Sequence, residues 1–380
     1  MTAKIAYLVH DLNDAAVHRR VDALRRGGAD VAVAGFYRRE PVSEISGAPA
    51  MALSQSHDAG FLQRVLVVLI HLVRRDRLRG AVADAPVVIS RNLEMLFLAA
   101  SVIGPGQRLV FECLDIHRLM LRRDLVGRML RWLERRLLAR CNLVLISSPA
   151  YRREYFRAMQ GYRGEILLVE NKVLEQGRAR ASSAPAKPVN SALPGPPSAR
   201  APWRIGWFGM LRCRRSLDLL CELAERSAGD VEILIAGRPS PTVLADLEAR
   251  VAQARGVVFA GPYDPRDLAR LYRSIHFSWC IDFFEEGLNS SWLLPNRLYE
   301  GIANGAVPVA LEAVETGRWL ADADLGLRLR SAETIGAELA AMTPSRFAGL
   351  SRAVDRFPRG EVAFRPDDHR ELVRRLGPAA

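Results

Sequence analysis

The chain has few cysteines, and no pair of them has the spacing of a metal or redox site. The five are Cys113, Cys141, Cys213, Cys221 and Cys280. They are scattered, odd in number and contain no C-x-x-C pair, which excludes a zinc ribbon and a disulfide framework. Small buried thiols are therefore expected.

Long apolar runs are also missing. A membrane-spanning helix needs about 20 consecutive apolar residues. The nearest stretch, residues 61–73, contains Arg64 and His71. The first apolar run, residues 5–9, is too short for a secretory signal. The sequence thus predicts a cytoplasmic protein with no membrane span.

Two further motifs are absent. Residues 3–36 read as strand, helix and strand, yet they contain no G-x-G-x-x-G, so a dinucleotide site is not predicted. No Asp-x-Asp motif stands where it could hold a metal against a phosphate. We predict neither a metal nor any other cofactor.

Positive charge is in excess. The 380 residues carry a formal net charge of +12 and are 49% hydrophobic, enough for two domains with cores. Such a charge indicates an anionic partner, either nucleic acid, a membrane surface or a phosphorylated substrate. Basic and aromatic residues are not interleaved, and no nucleic-acid module is recognisable, so nucleic acid is not the expected partner.

Both halves of the chain alternate strands with helices, which predicts an α/β protein. Residues 176–202 are rich in Ala, Pro, Ser and Arg without periodicity, and they read as a flexible linker. We predict an N-terminal Rossmann-like domain over 1–175, a C-terminal one over 203–355, and a last helix over 356–380.

Residues 285–310 read as a loop, a helix over about 296–303 and a strand from 307 to 310, with Asn304-Gly305 ending the helix. Glu300 lies on that helix. Helix N-terminal amides attract phosphate, and a carboxylate can accept hydrogen bonds from ribose hydroxyls. An ordinary helix with a surface glutamate is an equal alternative from these residues alone.

A second candidate loop, residues 209–215, follows a predicted strand over 204–208 and precedes a helix capped by Ser216. Gly209 would let a ligand approach the backbone closely. Arg212 and Arg215, beside a helix N-terminus, suit a diphosphate. The alternative is a solvated basic loop.

Two polar residues follow a strand of the first half. Asp115 and His117 come just after residues 108–113, and ligands in open α/β sheets bind beyond the carboxyl ends of strands. We interpret both as catalytic candidates, with Asp115 as a base for an acceptor hydroxyl. The alternative is that Asp115 merely caps the next helix.

Residues 116–140 read as one long helix with an apolar stripe and arginines such as Arg128, Arg131 and Arg135 on another face. A basic amphipathic helix predicts binding to an anionic membrane surface. The alternative is a core helix whose arginines are solvated.

Three of these segments resemble motifs of the retaining, GT-B glycosyltransferases of family 4. The run PNRLYEGIANG resembles their P-x-K/R-x-x-E-x-x-A-x-G pattern, with Glu300 at the Glu that holds the ribose. The loop from Gly209 resembles their G-R-L-x-x-x-K-G phosphate loop, with Arg215 at the Lys position. The segment FECLDIH resembles their Y-D-x-H-E segment. Within the group, the chain is most similar to enzymes that build succinoglycan-like exopolysaccharides.

The resemblance implies a GT-B fold: two Rossmann-like domains face each other across a cleft, and the C-terminal helix packs on the first. The family's Glu-x7-Glu places its first Glu at Trp292 here, so the nearest candidates for that role are Glu285 and Glu286, both further upstream than the spacing requires. The expected catalytic residues are Asp115, His117 and Glu286. The expected donor-binding residues are Gly209, Arg212, Arg215, Arg238, Tyr263, Asn289, Ser290, Ser291, Asn296, Arg297 and Glu300.

The implied activity is transfer of a sugar from a nucleoside diphosphate sugar to a lipid-linked saccharide, on the inner face of the cell membrane. Retention of anomeric configuration is implied by the family alone. A nucleotide-sugar epimerase of the same architecture is the alternative enzyme, and a basic nucleic-acid-binding or scaffold protein without catalysis is the alternative of another class.

Overall fold

The computed structural model describes residues 3–55, 75–174 and 194–377. The apolar stretch 61–73 and most of the predicted linker therefore lie outside the described residues. The chain divides into two units. The first contains the described residues up to Glu170, Leu174 and the C-terminal segment from Phe364. The second contains Asn171–Val173 and residues 194–363.

The first unit is built on an eight-stranded sheet. Its strands are β1 (Lys4–Val9), β2 (Asp30–Tyr37), β3 (Glu44–Ile45), β4 (Ala48–Gln55), β5 (Val87–Arg91), β6 (Arg108–Cys113), β7 (Leu143–Ile146) and β8 (Ile166–Leu168). Their order is β3-β4-β2-β1-β5-β6-β7-β8, parallel throughout except for the β3–β4 pair. The central strands are almost wholly apolar, as parallel strands covered on both faces must be.

The described helices of this unit connect those strands. They are α1 (Ala15–Arg26), α2 (Arg75–Val82), α3 (Asn92–Val102), α4 (Arg118–Leu121), α5 (Leu125–Leu138) and a π-helix, α6 (Tyr151–Met159). None of the helices within the described ranges is long and apolar enough to cross a membrane.

The prediction of one helix over 116–140 is wrong, because the chain breaks between α4 and α5. Asp124 lies at the break, where its carboxylate accepts a hydrogen bond from the Gly127 amide at 3.0 Å and starts α5. A Cβ at Gly127 would lie 2.2 Å from the carbonyl oxygen of Arg122, so this close reversal requires glycine.

A carboxyl group is buried between α5 and α6. Glu134 accepts a hydrogen bond from the Tyr155 hydroxyl at 2.6 Å and another from the Gln160 amide. Burial raises the pKa of Glu134 from 4.5 to about 7. The folded state therefore binds this proton more tightly than the unfolded state does.

Stability should consequently fall as the pH rises from about 4.5 to about 7, by roughly 1–3 kcal/mol. Glu134→Gln keeps an oxygen for Tyr155 and removes the titration. Unfolding free energies measured at pH 5 and pH 8 should show a smaller pH dependence in Glu134→Gln than in the wild type. Equal pH dependence in the two proteins would contradict the assignment.

The second unit is built on a six-stranded, fully parallel sheet. The two-residue strands β9 (Val173–Leu174) and β16 (Ala363–Phe364) pair with each other outside this sheet. The six strands of the sheet are β10 (Trp203–Leu211), β11 (Val231–Pro239), β12 (Val257–Phe259), β13 (Phe277–Trp279), β14 (Val307–Leu311) and β15 (Leu327–Leu329). Their order is β12-β11-β10-β13-β14-β15. Both sheets thus have the Rossmann-like pattern predicted from the sequence.

The helices of the second half follow in chain order. They are α7 (Arg214–Arg226), α8 (Leu247–Gln253), α9 (Leu268–Arg273), α10 (Asn296–Ala303), α11 (Glu315–Asp322), α12 (Ile335–Ala340), α13 (Pro344–Arg356), α14 (Arg359–Val362) and α15 (Pro366–Leu376). The predicted helix over 296–303 and the strand that follows it are confirmed.

The last helix, α15, returns to the first unit as predicted. Its residues Leu372, Val373 and Leu376 are buried in that unit's core. A Cβ at Gly27, which ends α1, would lie 2.3 Å from the His369 carbonyl oxygen, so the two helices pack closely there. At its end, Arg108 Nη1 donates a 3.0 Å hydrogen bond to the carbonyl of Gly377.

Candidate functional site

The second sheet changes direction between β10 and β13. The chain proceeds from β10 outward to β12 and then returns to the other side of β10 to form β13. In open parallel sheets, ligands bind beyond the carboxyl ends of the strands at such a switch point. The segments that leave β10 and β13 here carry most of the predicted donor-binding residues.

The arginine loop is shorter than the sequence analysis predicts. β10 continues to Leu211 and α7 starts at Arg214, so only Arg212 and Cys213 lie between strand and helix. Ser216 is not the cap, because the Cys213 thiol accepts the hydrogen bond from the Ser216 amide at 3.4 Å. Arg215 therefore lies in the first turn of α7, at the helix N-terminus, where the helix dipole favours negative charge.

The two glycines at the end of β10 and β11 are paired. Gly209 has φ +114° and lies opposite Gly237, which has φ +141°. A Cβ at Gly237 would lie 1.8 Å from the Gly209 carbonyl oxygen, whereas a Cβ at Gly209 would meet nothing within 4 Å. Gly209 is thus required for its conformation, and the space beside it is open to a ligand.

Both predicted arginines lie on aromatic rings that the sequence analysis missed. The Arg212 guanidinium is 4.7 Å from the Phe284 ring centre, and the Arg215 guanidinium is 4.1 Å from that of Phe283. These cation–π contacts restrict the orientation of both side chains. The sequence signal for these contacts is the pair of consecutive phenylalanines after a buried strand. Such a pair indicates core packing equally well.

Arg215 also joins two carboxylates. Its Nη1 donates hydrogen bonds to both oxygens of Glu286, at 2.9 and 2.7 Å, and its Nη2 donates one to Glu333 at 2.9 Å. A hydrogen bond from Ser331 and the Arg215 pair lower the pKa of Glu333 to about 2. Two predicted residues, Arg215 and Glu286, are therefore in contact. Glu333, which was not predicted and lies 118 residues beyond Arg215, contacts the same guanidinium.

The neighbouring arginines have different surroundings. Arg214 forms a two-pronged ion pair with Asp246, which fixes it away from Arg215's carboxylates. Arg238 is exposed on β11, opposite Met210. Of the predicted cations, Arg212 and Arg215 are the two that share the Phe283-Phe284 segment.

Glu300 lies on α10, the helix predicted to bind the ribose, and two neighbouring residues donate hydrogen bonds to it. The hydroxyl of Tyr272 on α9 donates a 3.0 Å hydrogen bond to Glu300 Oε2. The Asn304 amide donates to the Glu300 backbone carbonyl at 2.8 Å. Tyr263, predicted to touch the base, is half-buried and packs on the apolar cluster that contains Tyr272. Tyr272 was not predicted.

Two predicted residues start α10. Asn296 is its first residue and is half-buried. Arg297 lies one turn before Glu300, and its Nε atom is buried without a hydrogen-bond partner among the described residues. An unpaired buried donor is rare in folded proteins and is suited to a bound anion or hydroxyl.

The polar residues of the loop after β13 shape that loop. Asn289 and Ser290 are buried. The Ser290 hydroxyl accepts a hydrogen bond from the Glu285 amide at 2.9 Å, and the Ser291 hydroxyl accepts one from the Gly287 amide at 3.1 Å. These contacts fix the backbone between Glu286 and α10. Direct binding of a donor by these residues stays a prediction.

In the first unit, Asp115 and His117 follow β6 and are exposed. His117, rather than Asp115, caps α4, since its Nδ1 accepts a 3.3 Å hydrogen bond from the Leu119 amide. Their catalytic roles stay a prediction. Within the described ranges no group of three or more His, Cys, Asp or Glu side chains is arranged to hold a metal ion.

Behind them lies a buried ionic network. Glu112 is fully buried on β6 and accepts hydrogen bonds from the Tyr7 hydroxyl and from Arg20 Nε, the latter at 2.5 Å. Arg91 Nε lies 4.0 Å from the same carboxylate. These two guanidinium groups lower the pKa of Glu112 against the opposing effect of burial.

Comparison with known proteins identifies relatives along the whole chain. No protein-family profile matches. The chain is 43% identical over 381 residues to the succinoglycan biosynthesis protein ExoL of Rhizobium meliloti, covering 98% of this chain and 93% of that protein.

Solved structures share the fold. Sucrose-phosphate synthase from Thermosynechococcus elongatus superposes with a TM-score of 0.69 at 13% identity, covering 98% of this chain and 99% of that one. Anabaena HepE, solved in complex with UDP and glucose, superposes with a TM-score of 0.70 at 12% identity, covering 98% of each chain. The likeness confirms the predicted architecture of two Rossmann-like domains.

Proposed function

Because this chain belongs to one family with the succinoglycan biosynthesis protein ExoL and shares the fold of sucrose-phosphate synthase and HepE, we propose that it is a GT-B glycosyltransferase, which transfers a sugar from a nucleoside diphosphate sugar to a lipid-linked saccharide in exopolysaccharide synthesis. One observation carries the proposal. Arg212 and Arg215 are held on the Phe283-Phe284 segment that leaves β13, and the same segment leads into the helix with Arg297 and Glu300.

In this proposal the arginines neutralise the diphosphate as it departs. Fixed cations that face developing negative charge stabilise the transition state without needing to reorganise. Two guanidinium groups and the N-terminal amides of α7 supply this stabilisation, so the reaction is proposed to proceed without a metal. Glu300 binds the ribose hydroxyls, and retention of configuration is the family's expected outcome.

Donor binding requires Arg215 to exchange partners. Arg215, Glu286 and Glu333 are each about half exposed, and exposed ion pairs contribute only about 0–1 kcal/mol. A diphosphate offers more charge and more acceptor oxygens than either carboxylate. The exchange would release Glu286 next to the sugar, which is the role predicted for it.

A thermal-shift screen of nucleoside diphosphate sugars tests the donor. Binding at 100 times Kd stabilises a protein by about 2.7 kcal/mol, which is a measurable rise in Tm. We expect one donor to stabilise the protein and to yield free nucleoside diphosphate only when an acceptor extract is added. Conversion to an isomeric donor without acceptor would identify an epimerase instead, and no shift with any donor would contradict the proposal.

We further propose that the acceptor's membrane is contacted by α5, through apolar side chains more than through arginines. Leu125, Met129 and Trp132 are 73%, 57% and 54% exposed on one face of this helix, together with Val126. Contiguous exposed apolar groups on a monomer mark an interaction surface. Arg128 belongs to the same helix, and Arg136 lies over the Trp132 ring at 5.3 Å, as expected for an anionic leaflet.

The other predicted arginines have a different role. Arg131 donates to the carbonyl oxygens of Met120 and Arg122, and Arg135 donates to those of Gln160 and Met159. These bonds hold α5 to the body of the first unit. The membrane prediction therefore depends on the apolar face, and the arginines contribute less than the sequence suggested.

Replacing Met129 and Trp132 with Ser should reduce co-sedimentation with vesicles that contain anionic phospholipid by about tenfold or more, because each buried apolar side chain contributes about 1.5–3 kcal/mol. The matched control is Val258→Ser, which removes a 53% exposed apolar group from β12. Equal vesicle binding by the double variant and the control would exclude this surface.

A further inference from the structure

Tyr272 is an apolar-core residue whose one polar atom reaches the donor helix. Its side chain is fully buried on α9, and its ring packs edge-on against Phe208 at 5.0 Å between centres. Its hydroxyl donates to Glu300 Oε2 at 3.0 Å. Glu300 itself is only partly buried, so the buried tyrosine contacts a carboxylate that also reaches the surface.

The Tyr272 hydroxyl is protonated where it contacts Glu300. Burial and the neighbouring Glu300 charge raise the pKa of Tyr272 well above 10, so the hydroxyl always carries its proton. The tyrosine is therefore the donor, and the Glu300 carboxylate oxygen accepts. The packed ring fixes where this donor lies, and the donor fixes the plane of the carboxylate.

The main chain beneath Glu300 is fixed as well. The Asn304 amide binds the Glu300 carbonyl oxygen, and the Ser278 hydroxyl binds that of Arg297 at 3.1 Å. A Cβ at Gly301 would lie 3.0 Å from the Ser278 side chain, so α10 lies close against β13. The backbone and the side chain of Glu300 are therefore held by separate groups.

We propose that Tyr272 is a positioning residue that holds the Glu300 carboxylate in the orientation that accepts both ribose hydroxyls, and so sets a preference for ribonucleotide over 2′-deoxyribonucleotide donors. The inference rests on the proposed function, in which Glu300 binds the ribose. A carboxylate with a fixed plane can meet two adjacent hydroxyls at once, whereas a rotating one must be ordered by the ligand at a cost in affinity.

The test compares Tyr272→Phe with wild type by calorimetric titration of the full chain. The probes are the nucleoside diphosphate that wild type binds best among uridine, guanosine, adenosine and cytidine forms, and its 2′-deoxy counterpart. We expect about a tenfold loss of affinity for the ribonucleotide. Affinity for the 2′-deoxy form should fall less, so the ratio of ribonucleotide affinity to deoxyribonucleotide affinity should decrease.

Two controls separate this effect from damage to the fold. Tyr299→Phe removes another buried hydroxyl from α10 and should leave the ribo-to-deoxy ratio unchanged. In a Glu300→Gln background, Tyr272→Phe should change the ratio much less than in wild type, since the tyrosine acts through Glu300. This double-mutant comparison does not depend on equal stabilities.

The outcomes also separate the two proposals. If wild type binds a nucleoside diphosphate and Glu300→Gln weakens that binding, but Tyr272→Phe leaves the affinity and the ratio unchanged, Tyr272 has no positioning role and the proposed function survives. If wild type binds no nucleoside diphosphate, both proposals are wrong.

Discussion

Replacing Arg215 with Ala should reduce kcat/KM for sugar transfer by about 1,000-fold, because it removes the fixed cation that we propose stabilises the departing diphosphate. The variant also leaves Glu286 and Glu333 without their shared cation. Two unpaired carboxylates would then repel the incoming phosphates. Steady-state kinetics with the donor found by the thermal screen measure the effect.

Arg214→Ala provides a matched control. It removes the same charge from the same helical turn, but Arg214 is paired with Asp246 instead. Its kcat/KM should stay within a fewfold of wild type. Arg215→Lys should recover only part of the loss, because an ammonium cannot bind two oxygens with the planar fork of a guanidinium. Similar rates for Arg214→Ala and Arg215→Ala would exclude a specific role for Arg215.

Replacing Glu112 with Ala should destabilise the first unit by about 3–5 kcal/mol, the typical cost of leaving a buried charge without its partner. Arg20 and Arg91 are both buried beside this carboxylate, and the Tyr7 hydroxyl would lose its acceptor. Because the pKa of Glu112 is lowered, the network is ionised at neutral pH. Urea unfolding, monitored for the transition of the first unit, measures the change.

Glu165→Ala is the comparison for that experiment. Glu165 pairs with Arg108 and Arg375 in the same unit, but its carboxylate is largely exposed. Its loss should cost at most about 1 kcal/mol. Equal destabilisation by the two variants would show that Glu112 is not the centre of a buried ionic network.

Local signals in the sequence predicted the bounds of α10 accurately. Pro295 precedes α10, Asn304-Gly305 ends it, and the apolar run after them forms β14. Each of these signals acts through the backbone of neighbouring residues, so it can be read without knowing the tertiary structure. Glu300 consequently lies on the helix that the sequence predicts.

The errors arise where local signals conflict. The apolar stripe through residues 116–140 favoured one helix, but Asp124 and Gly127 start a new one after a break. Gly209 suggested that β10 ends at residue 208. The strand continues to Leu211 because it pairs with β11. In the first case a capping contact outweighs the apolar periodicity, and in the second a strand-pairing contact outweighs the glycine signal.

The completed site depends on contacts that no spacing predicts. Tyr272 meets Glu300 across 28 residues, and Glu333 meets Arg215 across 118. Phe283 and Phe284 acquire their role because β10 and β13 are neighbours in the sheet. The resemblance could supply candidate ligand-binding residues, but the residues that hold them in place become visible only in the tertiary packing.

A crystal structure of the protein with its nucleoside diphosphate tests the central claim most directly. We predict phosphate oxygens within about 3 Å of the Arg215 guanidinium and both ribose hydroxyls at the Glu300 carboxylate. Glu286 and Glu333 should then have separated from Arg215. A nucleotide bound with its phosphates away from Arg215, or with its ribose away from Glu300, would contradict the account.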